Sequence, residues 1–183
     1  MARYAAFLRG VNLGPNRRVS NDALRSALED MDFTGVTPFR SSGNVVFDAG
    51  RKSPAKLTGV VEDGLSEAFG FDVAIFLRTE DELRAIAEHD PFPGELVEAS
   101  DGKLQVDLLK DPPGTGVRKD VLALATDEDR LAFGGRELYW LPSGRMVEST
   151  LDLNAIQKLV GPTTRRTMGT IEQIASKCFE DYR

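Results

Sequence analysis

The sequence predicts an α+β fold built as two lobes, and three observations carry that prediction. The first 79 residues alternate short apolar runs with amphipathic segments in the order βαββαβ. The remainder repeats much of that order. The length of 183 residues, with 41% hydrophobic and 28% charged residues, suits one globular domain or two small lobes sharing a core.

In the first segment, Tyr4 to Arg9 is short, apolar and aromatic, and the turn-rich Asn12-Leu13-Gly14-Pro15-Asn16 follows it after Gly10, which marks a strand. From Asn21, apolar Ala23, Leu24, Ala27, Leu28 and Met31 recur at helical spacing, with Ser20 or Asn21 as N-cap. Val36 to Arg40 and Val45 to Ala49 flank Ser41-Ser42-Gly43-Asn44, a hairpin pattern. Pro54 opens a second helix with Leu57, Val60, Val61, Leu65, Ala68 and Phe69 on its apolar face, and Gly70 ends it. Val73 to Arg78 supplies the fourth strand. The order is that of a ferredoxin-like unit over residues 1–79. Right-handed crossovers then put the Gly10 to Val19 loop, the Ser41 to Asn44 hairpin and the Gly70 to Asp72 loop at one end of the sheet.

Residues 80–103 read as an acidic connector: a short helix from Thr79 through His89, then Asp90-Pro91-Phe92-Pro93-Gly94 and a polar stretch. Residues 104–183 read as a second lobe of the form βαββα(β)α, packed on the first as one globular unit. Its strands are Leu104 to Lys110, Arg130 to Phe133 and Glu137 to Leu141, with Gly116 to Ala125 helical. Ser149 is expected to cap a helix bearing Leu151, Leu153, Ile156, Leu159 and Val160. Thr163 to Thr167 is the bracketed strand, and Thr170 to Phe179 a last helix turning Ile171, Ile174, Ala175 and Cys178 inward. In Tyr4 to Leu8 and Val73 to Leu77 both side-chain parities are apolar, so the sheet face away from the helices is expected to be covered, by the second lobe or by a second copy.

The net charge of -6 is unevenly spread: residues 1–79 sum to +1, residues 80–157 to -9 and residues 158–183 to +2. An acidic chain lacks the phosphate-neutralising surface of a general nucleic-acid binder, yet Arg3, Arg9, Arg17 and Arg18 all precede the first acid, Asp22. One cysteine and one histidine, Cys178 and His89, exclude an internal disulfide and a metal centre of the usual zinc type. No apolar run approaches the roughly 18 residues of a membrane span, and the N-terminus has no signal-peptide pattern, so the expectation is a cytoplasmic protein with no membrane contact. Phosphate-loop, dinucleotide, nucleophile-elbow and metalloprotease motifs are missing, which leaves no catalytic residues to name and no cofactor to expect.

The residues that invite attention are Arg9, Asn12, Arg17, Arg18, Ser42, Asn44 and Arg166. Read functionally, they bring guanidinium groups, amides and a hydroxyl to one pole, where a small anion or phosphate would be held. Read structurally, Asn and Gly in tight turns satisfy backbone groups and tolerate positive φ, and an arginine braces loop carbonyls. Both readings stand at this stage. Two further classes compete with the binding module: a self-associating structural protein, consistent with a homodimer, and a single-stranded RNA reader stacking bases on Phe7 and Phe47.

Leu8-Arg9-Gly10-Val11-Asn12-Leu13-Gly14, an amphipathic helix with Leu24-Arg25, and Ser42-Gly43-Asn44-Val45-Val46-Phe47 together closely resemble the opening of the bacterial domain-of-unknown-function family 1697. Asp90-Pro91-Phe92, Glu137-Leu138-Tyr139, Ser149, and Thr164, Arg166 and Thr170 follow in order. The resemblance spans essentially the whole chain and implies an α+β fold of ferredoxin-like character without an established activity. Where the family commonly carries Arg-Asn-Trp before its last helix, this chain has Arg166-Thr167-Met168. That favours a packing role for the third position, which Met can fill.

Overall fold

Strand β1 (Arg3–Arg9) is flanked in its sheet by β3 (Asn44–Asp48) and β4 (Ala74–Thr79), with β2 (Thr34–Pro38) outside β3. The computed structural model describes residues 2–41 and 43–179. All pairings in this sheet are antiparallel, and the order is β2-β3-β1-β4. Helices α1 (Asn21–Glu29) and α2 (Pro54–Phe69) fill the two crossovers. A second four-stranded antiparallel sheet has the order β6-β7-β5-β8, from β5 (Gln105–Leu108), β6 (Asp129–Phe133), β7 (Glu137–Pro142) and β8 (Thr164–Thr167). Its crossover helices are α5 (Thr115–Leu122) and α6 (Leu153–Val160). The two sheets thus share one strand order, so the strand bracketed in the sequence reading is present.

The described residues up to Arg84, with those from Ile174 onward, form one unit, and Ala85–Gln173 form the other. In the first, Tyr4, Ala6, Leu8, Val45, Phe47, Ile75 and Leu77 join Leu24, Leu28, Leu57, Val61 and Leu65 of the helices in one core. The opposite parity, Ala5, Phe7, Val46 and Phe76, is buried as well, so both faces of the sheet are covered. Phe7 and Phe47 are fully buried and offer no face on which a base could stack. On the edge of this second face Arg3 pairs with Asp48 at 3.0 Å and donates Nε to the carbonyl of Cys178 at 3.2 Å. This contact ties the end of α7 (Met168–Phe179) to β1.

Local chemistry explains the boundaries. Ser20 caps α1 through the amide of Ala23, and Gly70 ends α2 in the left-handed conformation. Thr79 and Glu82 form a reciprocal capping box that starts α3 (Glu80–Ala87), so this helix is shorter than the Thr79 to His89 span. The polar stretch after Pro93 is also helical, as α4 (Gly94–Ala99). Ser149 does not cap α6: its hydroxyl accepts from Leu151, and the cap is Asp152, whose carboxylate accepts from the amide of Ala155 at 2.9 Å. An acid at that position meets the helix dipole better than a hydroxyl three residues earlier. In α7, Ile171, Ile174, Ala175 and Cys178 are buried as their spacing implies.

Two glycines with left-handed backbone separate conformational from steric cost. At Gly43 (φ +71) an added Cβ would lie 2.8 Å from Val11 Cγ2 and 3.1 Å from Leu8 Cβ, whereas at Gly14 (φ +81) it would meet nothing within 4 Å. Gly14→Ala is expected to cost only the backbone term, about 1–3 kcal/mol, because φ +81 with ψ -177 is a conformation nearly confined to glycine. Gly43→Ala should cost about 2 kcal/mol more through the clash with the core, as measured by urea denaturation of both variants.

Candidate functional site

The three loops expected at one end of the first sheet are physically joined there. Asn12 (φ +58) donates Nδ2 to the carbonyl of Ser41 at 2.8 Å and accepts at Oδ1 from the amide of Val19 at 3.0 Å. Its own amide donates to the carbonyl of Arg17, closing the loop around a short 3-10 turn at Pro15–Arg17. Leu8 donates to the carbonyl of Gly43 at 2.8 Å, which holds the hairpin against β1. Arg17 reaches the carbonyl of Gly10 at 3.4 Å and lies over the ring of Phe71, 5.3 Å from its centroid. Phe71 in turn stacks on Phe69 at 6.1 Å. Asn12, a neutral side chain, therefore connects the β1 loop to the hairpin, and Arg17 connects it to the loop before β4.

The candidates divide by what they are engaged in. Asn44 is 1% exposed and donates Nδ2 to the carbonyl of Phe39 at 3.2 Å; like Asn12, it is spent on holding a turn. Arg9 is half-buried at the end of β1, opposite Ala74. Arg17 and Arg18 are exposed. Ser42 lies outside the described residues. Arg40, read from the sequence as the end of a strand, sits instead in the turn after β2 with φ +56, exposed, its guanidinium 5.6 Å from the Phe39 ring. It precedes the Ser41 that Asn12 clasps and adds a positive charge at this pole. The signal was its place beside a serine pair in a hairpin turn.

Arg166 belongs to the other unit, on β8 opposite Val106. It donates Nη1 to Thr164 Oγ1 at 2.9 Å and to the carbonyl of Arg165 at 2.7 Å, and burial lowers its pKa to about 10. Its neighbour Arg165 grips Asp107 with two 2.7 Å bonds and covers Trp140, whose Nε1 donates to Asp129 at 2.8 Å. The departure at Thr167-Met168 has a local account: Thr167 Oγ1 accepts from the amide of Thr170 at 3.3 Å, and Met168 is buried. One caps α7 and the other packs.

The second unit has an equivalent pole, held by different chemistry. Arg118 donates to the carbonyls of Pro113, Gly134 and Gly135 at 3.1, 2.8 and 2.6 Å while lying 5.1 Å from the Phe133 centroid. Arg136 donates to the carbonyl of Lys110 at 3.0 Å. Elsewhere, His89 rests on the ring of buried Tyr139 at 4.9 Å, and Cys178 is buried. Among the described residues no group of three His, Cys, Asp or Glu side chains could hold a metal ion.

The model of a family described as protein of unknown function, DUF1697, matches residues 1–139. The chain belongs to this family. A solved structure described as that of conserved bacterial protein SP0830 from Streptococcus pneumoniae superposes with a TM-score of 0.74 at 22% identity, covering 97% of this chain and 98% of that one. At that identity the likeness concerns the fold. Among curated proteins none matches. In this member of DUF1697 the motif that marks the family's opening carries the loop clasp itself: Asn12 lies in the first stretch, and the carbonyl it grips belongs to Ser41, beside the second.

Asn12→Gly tests the clasp, because glycine accepts the left-handed backbone without strain while losing both side-chain bonds. It should lower unfolding free energy by about 1–2 kcal/mol in urea titrations. Stability equal to wild type would mean that φ alone selects the residue.

Proposed function

We propose that this protein is a binding module for a small anionic or phosphorylated ligand, held at the pole of the first unit. Arg17, Arg18 and Arg40 contact the ligand, and Arg9 adds charge from behind. Asn12 and Asn44 act as positioning residues. The observation that carries this reading is the contrast between the poles. In the second unit the guanidinium of Arg118 is bonded to three loop carbonyls. In the first, the uncharged amide of Asn12 joins the β1 loop to the hairpin, and Arg17 makes a 3.4 Å bond to a loop carbonyl while staying exposed. Joining the β1 loop to the hairpin through a neutral group leaves exposed Arg17 and Arg18 as positive charge at this pole, and in a chain of net charge -6 such a pole concentrates anions locally.

The shared strand order supports reading both units as ferredoxin-like modules. A lone, buried cysteine suits the reducing cytoplasm.

Thermal-shift measurements with inorganic phosphate, pyrophosphate and nucleotides test the assignment. A ligand that binds the folded chain at 100-fold over its dissociation constant contributes about 2.7 kcal/mol of apparent stability. The wild type should show a raised melting temperature with at least one of these compounds, and the Arg17→Ala/Arg18→Ala double variant should lose most of the rise. An unresponsive wild type, or a double variant that responds equally, overturns the reading.

A further inference from the structure

The four sheet edges differ in how they are protected against pairing with another chain. On β2 the register shifts between Thr34 and Thr37, Gly35 has φ +59 and Pro38 ends the strand. All three disfavour a partner strand. Along β4, the amide of Ile75 donates to Glu62 Oε1 and that of Val73, just before the strand, to Ser66 Oγ, each at 2.9 Å, so α2 occupies the edge. On β8, Arg165 and Arg166 stand side by side. Strand β6 carries its charged residues, Asp129 and Arg130, at its start alone. It pairs with β7 through five consecutive positions, contains neither glycine nor proline, and its residues Arg130 to Phe133 are half-buried.

The register fixes which groups of β6 face outward. Gly134 donates to the carbonyl of Glu137 and Ser143 to that of Glu128, which places the hydrogen-bonded positions at even numbers. The main-chain groups of Asp129, Leu131 and Phe133 then point away from β7. Those of Asp129 are taken up by Thr126, through its hydroxyl at 2.9 Å and its amide at 3.0 Å. Leu131 and Phe133 remain as the outward pair, their side chains forming the half-exposed margin of the second unit's core.

We propose that β6 is a docking edge for a second copy of this chain, pairing antiparallel about a two-fold axis with Leu131 opposite Phe133 of the partner subunit. The charges at the strand ends choose this occupant and its direction. Exposed Asp127 and Glu128 precede the strand, while Arg118, bonded to the carbonyls of Gly134 and Gly135, and Arg136 lie at its end. Antiparallel pairing sets each acidic start beside the other copy's guanidinium groups, twice over. Parallel pairing sets like against like. Two strands this short bury less than the roughly 1,200 Å² of a stable interface, so the dimer is weak and dissociates on dilution and in salt.

Sedimentation velocity over a wide concentration range, at low and high salt, reads the association in the intact chain. The wild type should show a concentration-dependent dimer at low salt, and Asp127→Lys/Glu128→Lys should weaken it about tenfold or more. Leu131→Pro removes an outward N–H without breaking the β7 ladder, and should leave a folded monomer. Because that variant could also disturb the core, amide exchange in the wild type supplies a second readout: Leu131 and Phe133 should exchange more slowly as concentration rises. The proposal is overturned if the wild type stays monomeric up to its solubility limit, or if it associates while these two amides exchange at a constant rate.

Discussion

A strand with no polar side governs the N-terminal unit. Tyr4, Ala6 and Leu8 of β1 point to the helices, while Ala5 and Phe7 on the other side are equally buried, as are Val46 and Phe76 on the neighbouring strands. A sheet that must hide both faces cannot use either as a recognition platform, because every residue there is committed to exclusion of water. Variation is then confined to the ends of the strands, where loops can change without disturbing the core. The Asn12 clasp, the Gly43 close approach and the stacked Arg17, Phe71 and Phe69 all belong to one such end.

The two sheets share a strand order but have solved the same loop problem with opposite electrostatics. A carboxamide offers an NH2 donor group and an oxygen acceptor without charge; a guanidinium offers five donors in a fixed fork and keeps its charge while it gathers carbonyls. The choice of Asn12 in one unit and Arg118 in the other therefore sets whether a loop contact is made by a neutral or a charged group.

Much of this was legible from residues alone, for reasons that can be named. Helix α2 announced itself because Pro54 starts it, Gly70 stops it and its apolar positions keep the helical period. The convergence of three loops followed from chain direction and crossover hand, without knowledge of any contact. By contrast, α4 is six residues long with no buried side chain, so no periodic signal exists to read. Propensity ranks Ser149 and Asp152 alike as caps, so the expectation of Ser149 had no local signal against it; geometry chose the acid. Arg40 was hidden by its apolar neighbours Val36 and Phe39, which made it look like strand until its left-handed backbone placed it in the turn. The dual role of Asn12, as both left-handed residue and two-armed bridge, needs partners 7 and 29 residues away and lies beyond local pattern.

The contact between Arg3 and the carbonyl of Cys178 joins residues 175 positions apart, and the turns from Ile174 onward group with the N-terminal unit although the whole second sheet intervenes in sequence. This has a bearing on synthesis. The N-terminal strands leave the ribosome first, yet one margin of their sheet waits for the last helix to emerge. During translation the nascent chain carries an unfinished sheet edge with Arg3 and Asp48 in place and no helix to receive them. Folding of this unit is therefore not a vectorial, N-to-C event: its completion is postponed until the second unit has been made, and that interval is when a chaperone would find most to hold.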